Sequence, residues 1–193
     1  SGVSVIGLDI DQFKVDSING EKSYIQHIAS EDILEQIRNK KLQASTEFSL
    51  VKEVQAVLIC VPTPLNKNRE PDISHVLNTG KTIAPYLQDG ALVILESTTY
   101  PGTTDTDLRK VLEEGSEMKA GKDFHLAYSP EREDPGNPDS KAAKIPKVIG
   151  GYTEKCLQMA QRLYSLAVEK TVTVSSCRAA EATKLLENIF RSV

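Results

Sequence analysis

Tryptophan is absent from the 193-residue chain, and aromatic residues make up only 5% of it. So few aromatic side chains do not provide the stacking platforms on which single-stranded nucleic acids bind. Basic residues are also scarce, with 23 Lys and Arg against 27 Asp and Glu and a formal net charge of −4. Because a nucleic-acid groove needs a strong positive field, the sequence predicts no nucleic-acid partner. A small phosphorylated ligand, which needs only a few local donors, is still compatible with this charge.

Cysteine and histidine are equally rare. The three cysteines, Cys60, Cys156 and Cys177, have no CxxC spacing, and their odd number argues against a disulfide framework. The three histidines are scattered, so we expect no metal site. The longest apolar run, residues 56–61, is far too short to span a bilayer, and no signal peptide is visible. We therefore expect a cytoplasmic protein without a membrane partner.

Strand and helix patterns alternate along the whole chain. This alternation is typical of an α/β protein with a Rossmann-like, doubly wound and mainly parallel sheet. Apolar runs predict strands at residues 3–8, 55–61, 91–95, 124–128, 147–149 and 170–174. Helical spacing predicts helices from Asp11, Ser30, Ile73, Thr103, Thr153 and about Arg178, with Ser30 and Thr153 as N-caps and an end near Pro85. Ligands of such sheets bind beyond the carboxyl ends of the strands.

Asp9 closes the first apolar strand, and Lys14 follows five residues later. In a dinucleotide fold an acidic residue at this place accepts both hydroxyls of the adenosine ribose. Position alone leaves a second interpretation open, in which Asp9 or Asp11 caps the next helix. The glycine-rich turn that usually accompanies such a residue lies about 20 residues earlier, and we expect this sequence to begin after it.

Two polar segments follow the next two predicted strands. In the first, Val61, Pro62 and Thr63 form a turn stiffened by proline, which would point the threonine hydroxyl into the crevice. An ordinary connecting loop is the alternative. In the second, residues 96–99 carry three adjacent hydroxyls, Thr98 among them, at a strand end. These hydroxyls suit a phosphate, a ribose or a catalytic water, and equally suit the capping of the next helix.

The loop after the strand at 124–128 holds four consecutive charged residues between prolines. Glu131 beside a cation has the chemistry of a general base, and Arg132 that of a phosphate ligand. A solvated charged loop is the alternative, and neither interpretation is favoured by the pattern.

The last helix separates into two faces. Its apolar stripe consists of Ala182, Leu185, Leu186, Ile189 and Val193. Lys184 and Asn188 lie four residues apart and share the opposite face. In isolation such a face is more often exposed to solvent than functional.

Five segments, taken together, resemble one family: VIGLDID with Lys14, ICVPTP, ESTTYPGTT, YSPEREDPGN and AAEATKLLEN. Their order and spacing are similar to those of the nucleotide-sugar 6-dehydrogenases, the UDP-glucose/GDP-mannose dehydrogenase family. The amino-acid sequences of three segments, ICVPTP, ESTTYPGTT and YSPEREDPGN, most resemble those of the UDP-N-acetylglucosamine 6-dehydrogenase branch. The resemblance covers essentially the whole chain.

The resemblance implies oxidation of a UDP-sugar at its C6 alcohol to a carboxylate, with two NAD reduced in succession. In the family a cysteine traps the aldehyde, and the resulting thioester is hydrolysed. The implied cofactor residues are Asp9, Lys14, Val61, Pro62, Thr63 and Thr98. The implied catalytic residues are Glu131, Lys184, Asn188 and Thr98, and the implied substrate residues are Glu131, Arg132, Lys184 and Asn188. Lys184 would stabilise developing oxyanion charge, Glu131 would be the base that acts on water, and the enzyme would be a homo-oligomer.

The sequence departs from the family pattern at several places. Pro135 stands where many relatives carry a second glutamate. Neither the glycine-rich turn nor the Gly-Gly-x-Cys segment of the nucleophile occurs in the 193 residues, and we expect Cys60 to be a core residue of its strand. We therefore expect this chain alone not to oxidise a UDP-sugar, and its strands at 3–8 and 56–61 to lack a shared neighbour. Residues 1–176 would form the NAD-binding domain, and residues 177–193 the start of an inter-domain helix.

Overall fold

The computed structural model describes residues 2–25, 28–65, 67, 71–131 and 145–191; for Asp32, Asn188 and Arg191 it describes the backbone only. The chain divides into two compact units, Ser1–Leu50 and Val51–Val193.

The first unit is a small parallel β-sheet with two helices. Its elements are β1 (Val5–Leu8), α1 (Gln12–Asn19), α2 (Ser30–Arg38) and β2 (Leu42–Ser45). β1 and β2 pair in parallel, with Val5 opposite Leu42. The Asp11 carboxylate caps α1 by accepting a hydrogen bond from the Phe13 N–H at 3.0 Å. The helix predicted from this aspartate is therefore confirmed.

Two features of this unit differ from the sequence-based expectation. Ser30 is not the N-cap of α2, because Ala29 occupies that position and the Ser30 hydroxyl accepts the Ser23 N–H instead. β2 was not predicted, since its four residues form no apolar run. It is held partly by the Asn19 side chain, whose amide bonds both the N–H and the carbonyl of Ala44. This bond joins residues 25 positions apart, which local patterns do not reveal.

The second unit is built on a five-stranded sheet. Its strands are β3 (Ala56–Ile59), β4 (Leu92–Leu95), β5 (His125–Tyr128), β6 (Lys147–Gly151) and β7 (Thr171–Val174), in the spatial order of their numbering. Its helices are α3 (Ser74–Ile83), α4 (Arg109–Ser116), α5 (Glu154–Tyr164) and α6 (Cys177–Arg191), with a π-helix over Thr103–Leu108 and a short 3-10 helix over Ala84–Tyr86. A further 3-10 helix, Phe48–Glu53, includes the last residues of the first unit and the first residues of the second. α3 ends just before Pro85, and the Thr153 hydroxyl caps α5, both as predicted.

The sheet is mainly parallel, which confirms the predicted α/β fold class. β3–β4, β4–β5 and β6–β7 pair in parallel, and only β5–β6 pair antiparallel. β4 and β5 are buried along their whole length, as strands covered on both faces must be. β1 belongs to the sheet of the first unit, and β3 belongs to the sheet of the second.

The antiparallel register of β6 decides where its first residue lies. Tyr128 pairs with Gly150 and Ala127 with Gly151. Continued past the end of β5, the same register sets residue 147 opposite residue 131. Lys147 therefore lies at the edge where the parallel strands β3, β4 and β5 end, which is the edge expected to bind ligands.

Gly150 lets the beginning of α6 approach β6 closely. A Cβ atom at this position would overlap the Ser176 carbonyl and would lie 3.0 Å from the Ala180 Cβ. Any larger residue would thus push α6 away from the sheet.

Glu181 ties α6 to the segment that follows β4. Its side chain is fully buried and accepts hydrogen bonds from the Gly102 N–H at 2.7 Å, the Thr104 N–H at 2.9 Å and the Thr104 hydroxyl at 2.7 Å. A carboxylate suits this place because the first N–H groups of a helix have no partner within the helix. Burial raises the pKa of Glu181 above its ordinary value, although the bonds from Thr104 and Gly102 oppose the rise.

We predict that Glu181→Gln removes a pH dependence from the free energy of unfolding. The pKa of Glu181 in the folded state lies above the ordinary value of 4.5, so between these two values the folded protein binds the proton more tightly than the unfolded chain. The contribution of Glu181 to the free energy of unfolding is therefore fully present below pH 4.5. It is lost as the pH rises through the folded-state pKa of Glu181. Urea denaturation from about pH 4 to pH 8 should show the wild type losing stability relative to the variant.

The control for this measurement is Glu114→Gln, which alters an exposed carboxylate of α4. Its free energy of unfolding should stay parallel to that of the wild type across the pH range. A constant difference between Glu181→Gln and the wild type would contradict the prediction.

Candidate functional site

The loops after β3 and β4 are joined by two hydrogen bonds. The Thr63 hydroxyl donates to the Thr98 carbonyl at 2.6 Å, and the Ser97 hydroxyl donates to the Val61 carbonyl at 2.7 Å. The structure thus brings together Val61, Thr63 and Thr98, which the sequence predicted to share one crevice. Pro62 lies exposed between the first two. The Thr63 hydroxyl therefore forms a structural hydrogen bond with the neighbouring loop. The residue itself lies at the carboxyl end of the sheet, as predicted.

The three adjacent hydroxyls after β4 have separate roles. Ser97 and Thr99 are buried, and Thr99 bonds to the Thr103 hydroxyl at the start of the π-helix. These two therefore serve the local structure. Thr98 is exposed at the carboxyl end of the sheet, so it is the hydroxyl of this segment that is accessible to a ligand.

Glu131 and Lys184 come together although 53 residues separate them. The Lys184 ammonium donates a hydrogen bond to the backbone carbonyl of Glu131 at 2.7 Å. Lys184, on the polar face of α6, thus contacts Glu131, three residues beyond the end of β5. Its apolar stripe, by contrast, is exposed among the described residues, with Leu186 68% and Ile189 54% accessible. The face of α6 that carries Lys184, which the sequence resemblance implies to be functional, is therefore the face that contacts the strand ends.

Lys147 is a residue of this site that sequence reasoning missed. Its ammonium lies 3.0 Å from Glu131 Oε2 and 3.2 Å from Glu96 Oε1, and its side chain is only 9% exposed. In the sequence, Lys147 is recognisable only as a lysine at the start of an apolar strand. Without knowledge of the antiparallel register, such a lysine indicates a strand end and not a functional site.

Glu96 has further partners besides Lys147. The Tyr164 hydroxyl, from the end of α5, donates to Glu96 Oε1, and the Cys60 thiol lies 3.5 Å from Glu96 Oε2. The Lys147 ammonium also lies 5.2 Å from the centre of the Tyr164 ring. We call Cys60, Glu96, Glu131, Lys147 and Tyr164 the Lys147 cluster. Burial and then the Glu96 carboxylate raise the pKa of the Tyr164 hydroxyl far above its ordinary value, so it stays a donor.

The expectation that Cys60 is a core residue is wrong. β3 ends at Ile59, and Cys60, just after it, is exposed as a whole. Protein atoms around the sulfur and the nearby Glu96 carboxylate nevertheless raise the pKa of the Cys60 thiol to about 12. A thiol that stays protonated is a poor nucleophile, so this cysteine does not have the character of a catalytic one. Cys156 and Cys177 are buried.

Two predicted site residues are not tested by the structure. Arg132 lies outside the described residues, as does Pro135. For Asn188 only the backbone is described, and it lies within α6 one helical turn beyond Lys184.

In the first unit, Asp9 follows β1 and is bound by two donors. Its Oδ1 accepts the Asp11 N–H at 2.9 Å, and its Oδ2 accepts the Lys14 ammonium at 3.0 Å. Burial alone would raise the pKa of Asp9, but the Asp11 and Lys14 hydrogen bonds outweigh it and hold the pKa below its ordinary value. Because Asp11 is the cap of α1, Asp9 is left as an ionised, part-exposed acceptor at a strand end. A carboxylate has about four lone-pair sites, so these oxygens still fit the two hydroxyls of a ribose.

The described residues contain neither a metal site nor a membrane span. Within the described ranges, no group of three or more His, Cys, Asp and Glu side chains is arranged to hold a metal ion. No helix of the described part of the chain is long and apolar enough to cross a membrane.

Comparison with known proteins gives the chain a family. The family model described as "UDP-glucose/GDP-mannose dehydrogenase family, NAD binding domain" matches residues 1–168. UDP-N-acetyl-D-mannosamine dehydrogenase of Escherichia coli K12 is 38% identical over 196 aligned positions, which cover 98% of this chain and 46% of that protein. NDP-N-acetyl-D-galactosaminuronic acid dehydrogenase of Ralstonia nicotianae is also 38% identical, with the same two coverages. The chain thus spans about half the length of the curated relatives it matches.

Solved structures agree with this assignment. UDP-D-ManNAc dehydrogenase of Pyrococcus horikoshii superposes with a TM-score of 0.91 at 33% identity, over 98% of this chain and 45% of that one. GDP-mannose dehydrogenase of Pseudomonas aeruginosa gives 0.91 at 26% identity, over 99% and 45%. Sequence and fold point to the same conclusion: the chain belongs to the UDP-glucose/GDP-mannose dehydrogenase family and carries its NAD-binding domain.

Proposed function

We propose that the chain is the NAD-binding part of an enzyme that oxidises the C6 alcohol of a UDP-sugar to a carboxylate. The observation that carries the proposal is the convergence of Glu131 with Lys184 and Lys147 at the carboxyl ends of the central strands. Oxidation of an alcohol to a carboxylate removes four electrons and adds one water oxygen. Two NAD accept the electrons as hydrides, and the protein must activate the water and stabilise oxyanion charge.

The two jobs suit two different residues. The Glu131 carboxylate is the base that takes a proton from the water, since its side chain is 52% exposed and faces the strand ends. The Lys184 ammonium lies at the strand ends, where it donates to the Glu131 carbonyl. Its positive charge suits an oxyanion on the sugar C6, and Asn188 follows one helical turn later in α6. A binding module without catalysis would not need this combination.

The residues proposed to bind NAD are those that the sequence motifs imply. In the first unit, Asp9 accepts the ribose hydroxyls and Lys14 holds the Asp9 carboxylate in place. In the second unit the crevice residues are Val61, Pro62, Thr63 and Thr98. Bound there, NAD supplies the hydride acceptor for both oxidation steps.

The proposal extends to the organisation of the protein. Residues 1–176 act as the NAD-binding domain, and residues 177–193 begin a helix between domains of a cytoplasmic homo-oligomer. Four large apolar side chains of α6 are exposed among the described residues and offer a surface for such contacts: Leu185, Leu186, Ile189 and Phe190.

The proposed substrate is UDP-N-acetylglucosamine, because the segments ICVPTP, ESTTYPGTT and YSPEREDPGN resemble those of UDP-N-acetylglucosamine 6-dehydrogenases. The similarity to UDP-N-acetyl-D-mannosamine dehydrogenases favours a second candidate, UDP-N-acetylmannosamine. Both carry an acetamido group at C2, which UDP-glucose lacks.

We predict that the protein expressed from its complete coding sequence produces two NADH for each UDP-N-acetylglucosamine consumed. An NADH absorbance assay should give a higher kcat/KM for this substrate than for UDP-N-acetylmannosamine or UDP-glucose. A preference for the mannosamine compound would move the substrate assignment to the second candidate. If none of the three were oxidised while NAD still bound in calorimetric titration, a non-catalytic nucleotide-binding module would replace the enzyme.

We predict that the enzyme prefers NAD to NADP and that Asp9→Asn weakens this preference. An ionised Asp9 repels the 2′-phosphate of NADP, and like charges in contact lower affinity by about tenfold or more. The kcat/KM values for the two cofactors should therefore approach each other in the variant. Asp16→Asn, on the exposed side of α1, is the matched control and should keep the wild-type ratio. Equal kcat/KM values in the wild type would rule out the ribose role of Asp9.

We predict that Glu131 and Lys184 act in different steps. Glu131→Gln should slow hydrolysis of the enzyme-bound thioester, so that a covalent adduct accumulates. Lys184→Ala should slow the oxidation itself by about 10²–10³-fold, the usual loss for one oxyanion donor, without an adduct. Rapid-quench mass spectrometry separates the two results. A Glu131→Gln enzyme with low turnover and no adduct would show that Glu131 is not the hydrolytic base.

A further inference from the structure

Two carboxylates share one ammonium in the Lys147 cluster. Lys147 lies 3.2 Å from Glu96 and 3.0 Å from Glu131, and neither the family match nor the sequence motifs assign it a role. We infer that Lys147, held by Glu96 and Tyr164, is a positioning residue that fixes the Glu131 carboxylate in the place where it acts as a base. This inference rests on the proposed function of Glu131.

The part of the cluster that holds Lys147 is largely buried and attached to the ends of regular elements. Lys147 begins β6, Glu96 directly follows β4, and Tyr164 ends α5. The side chains of Lys147 and Glu96 are only 9% and 10% exposed. Because an unpaired buried ammonium is costly, Glu96 is the counter-charge that keeps Lys147 in this position. Tyr164 contacts both members of this ion pair: its hydroxyl donates to Glu96, and its ring lies beside the Lys147 ammonium.

Glu131 differs from Glu96 in exposure, and this difference suggests its role. Lys147 already has a buried counter-charge in Glu96, so it does not need Glu131 for neutrality. The Glu131 side chain is half exposed, so it reaches solvent while one oxygen is held by the ammonium. A held but accessible carboxylate is the arrangement that a general base requires.

Glu131 is fixed at two separate atoms by two lysines. Lys184 from α6 binds its backbone carbonyl, and Lys147 from β6 binds its carboxylate. The first bond sets the position of the Glu131 backbone, and the second sets the direction of its side chain. The two lysines therefore have distinct functions, and loss of one is not replaced by the other.

The charges around Glu131 also favour its ionised form. Lys147 and Lys184 are two cations that bind it, and Glu96 partly offsets the charge of Lys147. Tyr164 and Cys60, the other groups around Glu96, stay neutral donors because burial raises the pKa of each. Removing the Lys147 ammonium would leave Glu96 and Glu131 as two carboxylates without their shared cation. Glu131 should then become a base only at higher pH.

The test compares Lys147→Met, Lys147→Arg and Tyr164→Phe in the enzyme expressed from its complete coding sequence. Lys147→Met should lower kcat about 10–100-fold with little change in KM, because the base is misplaced rather than the substrate lost. The acidic limb of its pH profile of kcat should move up by about one unit or less. Lys147→Arg should restore most of the activity, and Tyr164→Phe should shift the limb in the same direction by a smaller amount. Lys110→Met removes an exposed lysine of α4 and should match the wild type.

A second measurement does not depend on turnover. In protein labelled with ¹³C at the glutamate carboxyl carbons, the Glu131 signal is identified by its loss in Glu131→Gln. Its NMR titration midpoint should rise in Lys147→Met and stay unchanged in Lys110→Met. If Lys147→Met does not fold, Tyr164→Phe carries both measurements, because it removes one hydroxyl and keeps the ring.

The outcomes separate the inference from the proposed function. If Glu131→Gln turns over normally, the role of Glu131 as a base is wrong, and the inference falls with it. If Glu131→Gln is impaired but Lys147→Met and Tyr164→Phe leave the pH limb and the titration midpoint unchanged, the inference alone is overturned. A loss of activity in Lys147→Met that Lys147→Arg does not restore, with an unchanged midpoint, would also overturn it.

Discussion

The antiparallel pairing of β6 with β5 is the constraint on which the candidate site depends. It brings the first residue of β6 back to the edge where β3, β4 and β5 end, and so places Lys147 between Glu96 and Glu131. Gly150, in the same strand, leaves room for α6 to begin against the sheet. Were β6 parallel to β5, its first residue would lie at the opposite edge, and the loop after β5 would have no cation from the sheet.

A buried carboxylate ties α6 to the segment that follows β4. Glu181 binds the first N–H groups of the π-helix that follows the Thr98 segment, and Lys184 lies one turn further along α6. The placement of Lys184 on Glu131 is therefore tied to the placement of the loop after β4. Burial holds the pKa of Glu181 above its ordinary value even with these bonds. The unfavourable burial of the Glu181 carboxylate accompanies the hydrogen bonds that align α6 with the segment after β4.

Local patterns predicted much of this arrangement because they reflect burial and strand ends directly. The apolar runs of β3 and β4 and the charged residue after β1 are visible without any partner. Patterns failed where a partner decides the outcome. β2 depends on the amide of Asn19, Ser30 bonds to Ser23 rather than capping α2, and Cys60 lies one residue beyond the end of its strand.

By itself the sequence determined the alternation of strands and helices, the family, and the identity of the residues at the strand ends, because each of these is set by local side-chain chemistry. Only the tertiary structure decided which of those residues meet. Glu131 and Lys184 are 53 positions apart, and Glu131 and Lys147 are 16 apart across a reversal of strand direction. Register and strand direction are properties of the whole sheet, so the cluster around Lys147 exists only once the sheet has formed.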